Sequence, residues 1–235
     1  MSPARRALVV ALDGPGSSGK SSVGAAAARR LGYRFCDTGL LYRAVTWLAL
    51  ERGVDLADSA ALVALVDQVE LAADEEGRLA RVIIDGRDVT AAVRTAAVDA
   101  HVSEVARLPA VRAALLPRQR RIAAGGGIIV AGRDIGTVVL PDADVKIFLD
   151  ASVEERARRR AAERGLGPDD AASARILDEL RRRDRTDATR DVAPLRAAPD
   201  AVRIATDQLG FEETVAAVVA AVERVARSGT AAVGP

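Results

Sequence analysis

The sequence predicts an α/β protein, a parallel β-sheet covered by helices on both faces. Three observations carry that expectation. Residues 7–12, 128–131 and 145–149 are nearly continuous apolar runs, the pattern of strands buried on both sides. Amphipathic, charge-bearing stretches separate them, so strands and helices alternate along the chain. A glycine-rich loop joins the first apolar run to the first helix-like stretch, where open α/β sheets gather anionic ligands.

That loop reads Gly14, Pro15, Gly16, Ser17, Ser18, Gly19, Lys20, Ser21. Its Gly-x4-Gly-Lys-Ser spacing is that of a phosphate-binding loop. Glycines let the backbone turn tightly and aim successive N–H groups inward, and the next helix adds its own unpaired N–H groups. Lys20 is expected to reach the outer phosphates of a nucleotide, and the Ser21 hydroxyl to ligate Mg²⁺. Chance supplies these four fixed positions in roughly one chain of this length in a hundred.

Composition sets the bounds. The chain has 235 residues, 49% of them hydrophobic and only 3% aromatic, so one large domain can form, with a core of Ala, Val, Leu and Ile. A net charge of +1 excludes blanket attraction to nucleic acid or membrane, and any positive site must be local. Lysine occurs only at Lys20 and Lys146, so the remaining positive charge is arginine. Cys36 is the single cysteine, which forbids an internal disulfide and fits a reducing cytosol. The apolar run after Arg5 and Arg6 is too short for a signal-peptide core or a membrane span. The expectation is a soluble, cytoplasmic protein.

After the strand at 7–12, residues 22–31 read as a helix closed by Gly32. Residues 33–36 form a short strand, and Asp37-Thr38-Gly39 opens a helix over 40–52, with Asp37 or Thr38 as its cap. Residues 59–69 look helical. Short extended pieces at 69–71, 79–84 and 88–89, parted by turn residues, then read as a small antiparallel insert. Helices are expected over 93–106 and 110–124, the second begun by Pro109. Strands follow at 128–131 and 145–149. Residues 153–180 are dense in charge, with a break at 165–168, and 181–190 is a run of Arg and Asp. A strand at 201–205, a helix over 211–226 and a disordered tail over 228–235 complete the chain.

Charged clusters fall at strand ends or in loops: Asp37 to Arg43, Gly132-Arg133-Asp134, and Arg183 to Arg190. Joining two anionic nucleotides needs such arginines, because polyphosphates repel and the guanidinium fork neutralises them. A phosphate acceptor is already mostly ionised at neutral pH (second pKa about 6), so no general base is required. His101, the only histidine, accordingly reads as a surface or packing residue. Taken alone, the 181–190 run reads as a solvated helix face; beside a phosphate loop it reads as a lid that excludes water. A GTP-driven switch would need an Asn-Lys-x-Asp motif, and the chain contains no Asn.

Together these runs resemble the bacterial cytidylate kinases, of the P-loop nucleoside monophosphate kinase fold, over nearly the whole length. The resemblance rests on Leu12-Asp13-Gly14-Pro15 leading into Gly19-Lys20-Ser21, on Asp37-Thr38-Gly39-Leu40-Leu41-Tyr42-Arg43, and on Gly132-Arg133-Asp134-Ile135-Gly136-Thr137-Val138-Val139. Lys146-Ile147-Phe148-Leu149-Asp150 and Arg183-Asp184 with Asp187 and Arg190 extend it. It implies a single P-loop NTPase-type domain over 1–235, with an inserted monophosphate-binding subdomain near 66–93 and a mobile lid near 155–190. It implies transfer of the ATP γ-phosphoryl group to CMP or dCMP with Mg²⁺, by a monomer, without nucleic-acid or membrane partners. ATP contacts are expected from Gly14, Pro15, Gly16, Ser17, Ser18, Gly19, Lys20, Ser21 and Ser22, with Ser21 on the metal. Thr38, Arg43, Arg133 and Arg183 would hold the acceptor phosphate or the transferring group, which makes Lys20, Arg133 and Arg183 the catalytic set. Ser103, Arg112 and Arg190 would read the cytosine, and Asp134 would hold the ribose. Ala131 stands where relatives often carry an acid that helps order the metal's waters.

Overall fold

The computed structural model describes residues 7–167 and 170–231. Its frame is β1 (Val9–Asp13), α1 (Lys20–Leu31), β2 (Arg34–Asp37) and α2 (Gly39–Glu51). Then come α3 (Ser59–Val66), β3 (Val69–Ala73), β4 (Leu79–Ile84), β5 (Arg87–Asp88), α4 (Ala96–Ala106) and α5 (Pro109–Ala123). The chain continues with β6 (Ile128–Gly132), β7 (Val145–Asp150), α6 (Val153–Glu163), α7 (Ala171–Thr189), β8 (Val202–Ala205) and α8 (Phe211–Ala231).

Among the described residues these strands make one eight-stranded sheet in the order β3-β4-β2-β6-β1-β7-β8, with β5 on β4. The five strands β2, β6, β1, β7 and β8 are parallel, and β1 lies between β6 and β7. This central position explains its apolar run: Val10, Ala11 and Leu12 are fully buried because both faces are covered. On one face α1 and α8 pack through Val23, Ala27, Val215, Val218 and Val222. Each such valine contributes about 1.5–3 kcal/mol by leaving water. Gly24 lets α1 approach closely, since a Cβ there would lie 2.6 Å from Phe35 and 2.8 Å from Leu12.

The insert is antiparallel, as its short runs and turns suggest, with β3 and β5 both paired to β4. It is not a separate sheet: Leu79 of β4 pairs parallel with Cys36 of β2 and so extends the main one. The stretch 93–106 is not one helix. A 3-10 turn at Ala92–Arg94 ends at Thr95, whose extended backbone (φ −76°, ψ 161°) restarts the chain as α4. Threonine favours such a boundary over a helix interior. α3 stops at Val66 because Val69 must already pair with Ile84.

The Arg/Asp run lies inside α7 as far as Thr189, and Arg190 is the extended residue that caps the helix. α6 and α7 share a small apolar cluster of Ala157, Ala161, Ile176 and Leu180, separate from the main cores. The tail expected from 228 is corrected by α8, which extends to Ala231; residues 232–235, like Pro168, lie outside the described residues. The expected cap of α2 is Asp37, which accepts from the Gly39 amide at 2.9 Å, while Thr38 makes no capping bond. Cys36 is fully buried, and burial pushes its thiol up to about 12, which keeps it inert. His101 is half exposed on α4 and lies 3.6 Å from Glu104 one turn away. No described helix is long and apolar enough to cross a membrane.

Candidate active site

β1 ends at Asp13 and the loop turns directly into α1. Ser17 (φ 59°) and Gly19 (φ 84°) are left-handed, the geometry that turns successive amides toward one point. α1 has no side-chain cap and no acid in its first turn, so its opening amides are left for an anion. Gly14 is required by contact: a Cβ there would collide with the Leu149 carbonyl.

Three cations converge on this loop. Lys20 is buried, and its Nζ donates to the Pro15 carbonyl at 2.7 Å. Burial, reinforced by the charge of Arg133, drives its ammonium well below the ordinary lysine range. Arg133 and Arg183 lie over Gly16, where an added Cβ would sit 3.5 Å from Arg133 Nη2 and 3.7 Å from Arg183 Cδ. Burial and then Arg133 lower the Arg183 guanidinium to about 10, and its Nε has no hydrogen-bond partner. Buried, crowded, under-paired cations of this kind are met by a polyanion.

Ser21 Oγ donates to Asp37 Oδ2 at 2.5 Å, so a hydroxyl and a carboxylate converge beside the loop. These are hard oxygen donors, and they suit Mg²⁺, which takes one or two protein ligands and keeps phosphate oxygens and waters for the rest. The strand register puts Asp37 opposite Ala131, so the neighbouring strand supplies a carboxylate beside the position that lacks one.

Arg43 leaves α2 to donate to the Val93 carbonyl at 3.2 Å and to Asp99 at 2.5 Å. The other oxygen of Asp99 accepts from Arg160 of α6 at 2.8 Å, and Arg160 also donates to Ser17 Oγ at 3.3 Å. Asp99 is lowered from its ordinary value: burial opposes ionisation, but Arg43 and Arg160 outweigh it. Arg156, buried on the same helix, donates to the Gly16 carbonyl at 3.0 Å and grips Asp184 of α7 with both terminal nitrogens. The two helices of the charged region are thereby tied to the phosphate loop. A cavity of about 350 Å³ opens between α4 and these helices, lined by Asp99, Ser103, Arg160 and Arg183 among others.

Asp134 forms a second, buried centre. It accepts from Arg112 on one oxygen and from Arg190 at 3.3 Å on the other. Arg112 sits 5.5 Å over the buried Tyr42 ring. Thr38 is also buried, and its hydroxyl donates to the Ala131 carbonyl at 2.9 Å.

The expected residues therefore fall into two groups. Lys20, Arg133 and Arg183 meet at the loop, with Arg43 reached through Asp99, while Arg112, Asp134 and Arg190 meet in the buried centre. Ser103 lines the cavity with Arg183, and the buried triad does not line it. Asp99, Arg156 and Arg160 are site groups that the sequence did not single out, while Asp13, Asp37 and Asp187 stood in its motifs with no role at the site attached. The spacing of Arg156 and Arg160, and of Arg183 and Asp187, one helical turn apart, was the available signal.

A family model described as cytidylate kinase matches residues 10–224. The chain belongs to the cytidylate kinase family. A cytidylate kinase from Geobacillus thermodenitrificans is 48% identical over 219 residues, covering 91% of this chain and 96% of the relative. One from Geobacillus kaustophilus is 49% identical over 216 residues, covering 90% and 94%. Among solved structures, a gluconokinase from Sinorhizobium meliloti 1021 superposes with a TM-score of 0.53 at 16% identity, over 98% of this chain and 100% of that one. That likeness shows a shared P-loop kinase fold alone. Within the cytidylate kinase family, the near-complete coverage spans both the phosphate loop and the buried Asp134 centre.

Proposed function

We propose that the chain transfers the γ-phosphoryl group of ATP to CMP or dCMP, giving ADP and CDP or dCDP. The observation that carries this reading is the meeting of Lys20, Arg133 and Arg183 at the phosphate loop, in a member of the cytidylate kinase family.

The backbone N–H groups of the Gly14–Ser22 loop other than Pro15 grip the ATP phosphates, with Lys20 on the outer ones. Ser21 and Asp37 would hold Mg²⁺, which would supply positive charge to offset the charge developing on the phosphates. Arg43, Arg133 and Arg183 hold the acceptor phosphate in line and offset the repulsion between two anions. The acceptor oxygen is already ionised, so no side chain needs to remove a proton. Arg112 and Arg190 supply N–H donors for the carbonyl and ring nitrogen of cytosine, Ser103 a hydroxyl, and Asp134 acceptors for the ribose. α6 and α7, anchored through Arg156 and Arg160, cover the transfer and exclude water.

The test is a coupled ADP-release assay with CMP, dCMP, UMP and AMP as acceptors. Stimulation is expected with CMP and dCMP above the others. ATP turnover that no pyrimidine monophosphate stimulates would defeat the reading.

A further inference from the structure

Asp13 is the last residue of β1, one position before the phosphate loop, and it is only 4% exposed. Its two oxygens have separate tasks. Oδ1 accepts from the Ile135 amide at 2.7 Å, and Oδ2 accepts from the Gly136 amide at 2.7 Å. Those amides lie 122 and 123 positions later in the chain. They open the π-helical turn Ile135–Val139, immediately after Arg133 and Asp134.

A single side chain thus links the start of the ATP loop to the backbone that carries two acceptor-side groups. Burying a carboxylate is unfavourable unless its oxygens are paired, so packing alone would be better served by an apolar residue. The surrounding turn is also tight. A Cβ on Gly136 would lie 3.3 Å from Lys146 and 3.4 Å from Asp13 itself, and one on Gly132 would crowd Ile135 and the Thr38 hydroxyl. Small residues bring this backbone close to the carboxylate, and the two bonds then set its direction.

We propose that Asp13 is a positioning residue for the acceptor half of the site. Through the Ile135 and Gly136 amides it sets the angle at which Arg133 and Asp134 leave β6, and it registers them against the phosphate loop. Asp13 touches neither nucleotide. This inference rests on the assignment of Arg133 and Asp134 to the acceptor side.

Asp13→Asn keeps the shape but turns one acceptor into an N–H₂ facing an amide N–H, and Asp13→Ser leaves one acceptor in place of two. Steady-state kinetics are measured with CMP and ATP varied in turn. Misplacement of reacting groups by about 1 Å costs on the order of 100-fold, so kcat/KM for CMP should fall about 30- to 100-fold in Asp13→Asn. KM for ATP should stay within about 3-fold of wild type, because the loop amides are untouched. A rise in KM for ATP as large as the loss toward CMP, or no loss at all, would overturn the inference. Wild type in the same assay separates the two claims: no CMP phosphorylation there defeats the proposed function, whereas active wild type with unaffected variants defeats only the role of Asp13. If neither variant folds, isotope-labelled wild type is titrated by NMR. The Ile135 and Gly136 amides should shift on adding CMP more than on adding a non-hydrolysable ATP analogue, and no response to CMP sinks the proposal.

Discussion

Arg133, just past β6, donates from Nε to Asp187 of α7 at 3.1 Å across 54 positions of sequence. Arg183, one helical turn before Asp187, feels the same carboxylate. One acid therefore faces two guanidiniums beside a buried lysine, and the cluster is short of negative charge until phosphates arrive. Removing that acid should unbalance it. Asp187→Ala is expected to destabilise the fold by about 3 kcal/mol, since breaking a buried pair strands a charge. Urea denaturation measures the loss, and added tripolyphosphate should recover part of it by supplying the missing anion. Unchanged stability would mean that Asp187 offsets little of the cationic charge.

Lys20→Ala should leave the fold intact while abolishing transfer. The buried ammonium is costly to hold in place, so its loss does little to stability. In the proposed transfer its charge follows the migrating phosphoryl group, and kcat should drop by about 10²–10³-fold or more. Circular dichroism and ADP release check the two halves; near-wild-type turnover would contradict the assigned role of the lysine.

Arg190→Ala takes one of two cations from Asp134 and one donor from the proposed base site. Bonds to charged groups are worth about 1.5–3 kcal/mol, so kcat/KM for CMP should fall by about 10- to 150-fold. KM for ATP should hold, because Arg190 is not at the loop. An unchanged CMP value would remove Arg190 from cytosine recognition.

The Asp13 carboxyl gives stability a pH signature. Burial raises it from 3.8 to about 6, more than its bonds to the Gly136 and Ile135 amides can offset. The native state therefore holds that proton more tightly than the unfolded chain does. Its stabilising contribution is complete below about pH 4, declines as pH rises through about 6, and is flat above. Measured by urea denaturation, the stability difference between wild type and Asp13→Asn should decline across that window, because titration of the other acids cancels. A difference that grows with pH would contradict the dominance of burial.

Gly24→Ala should cost about 1–3 kcal/mol by overpacking, because the new methyl meets Phe35 at 2.6 Å and Leu12 at 2.8 Å. Thermal melts should register it. No change would mean that α1 can rise off the sheet at no cost.

The strands, most helices and the phosphate loop were legible because they are local. Residues 7–12 show their burial by being apolar at every position, and the Gly-Lys-Ser spacing is contiguous. Where two segments compete, local reading failed. Thr95 gave only a weak boundary signal, too weak to announce a break that depends on where α4 docks. The short runs of the insert showed antiparallel pairing but not that Leu79 would join Cys36 and continue the main sheet. The arginines were conspicuous but their pairings were not, since which guanidinium meets Asp99, Asp134 or Asp187 is decided only by what faces each acid.

By itself the sequence determined the class of the fold, the anion-binding loop and the inventory of guanidiniums, because each is written in adjacent residues or in a local period. Only the tertiary structure decided how those charges are shared. It put Asp13 on the amides of Ile135 and Gly136, split Asp99 between Arg43 and Arg160, and turned the Thr38 hydroxyl to Ala131. The physical reason is that a buried charge must find a partner wherever the chain brings one. That partner is chosen by packing across the sheet, which no stretch of sequence contains.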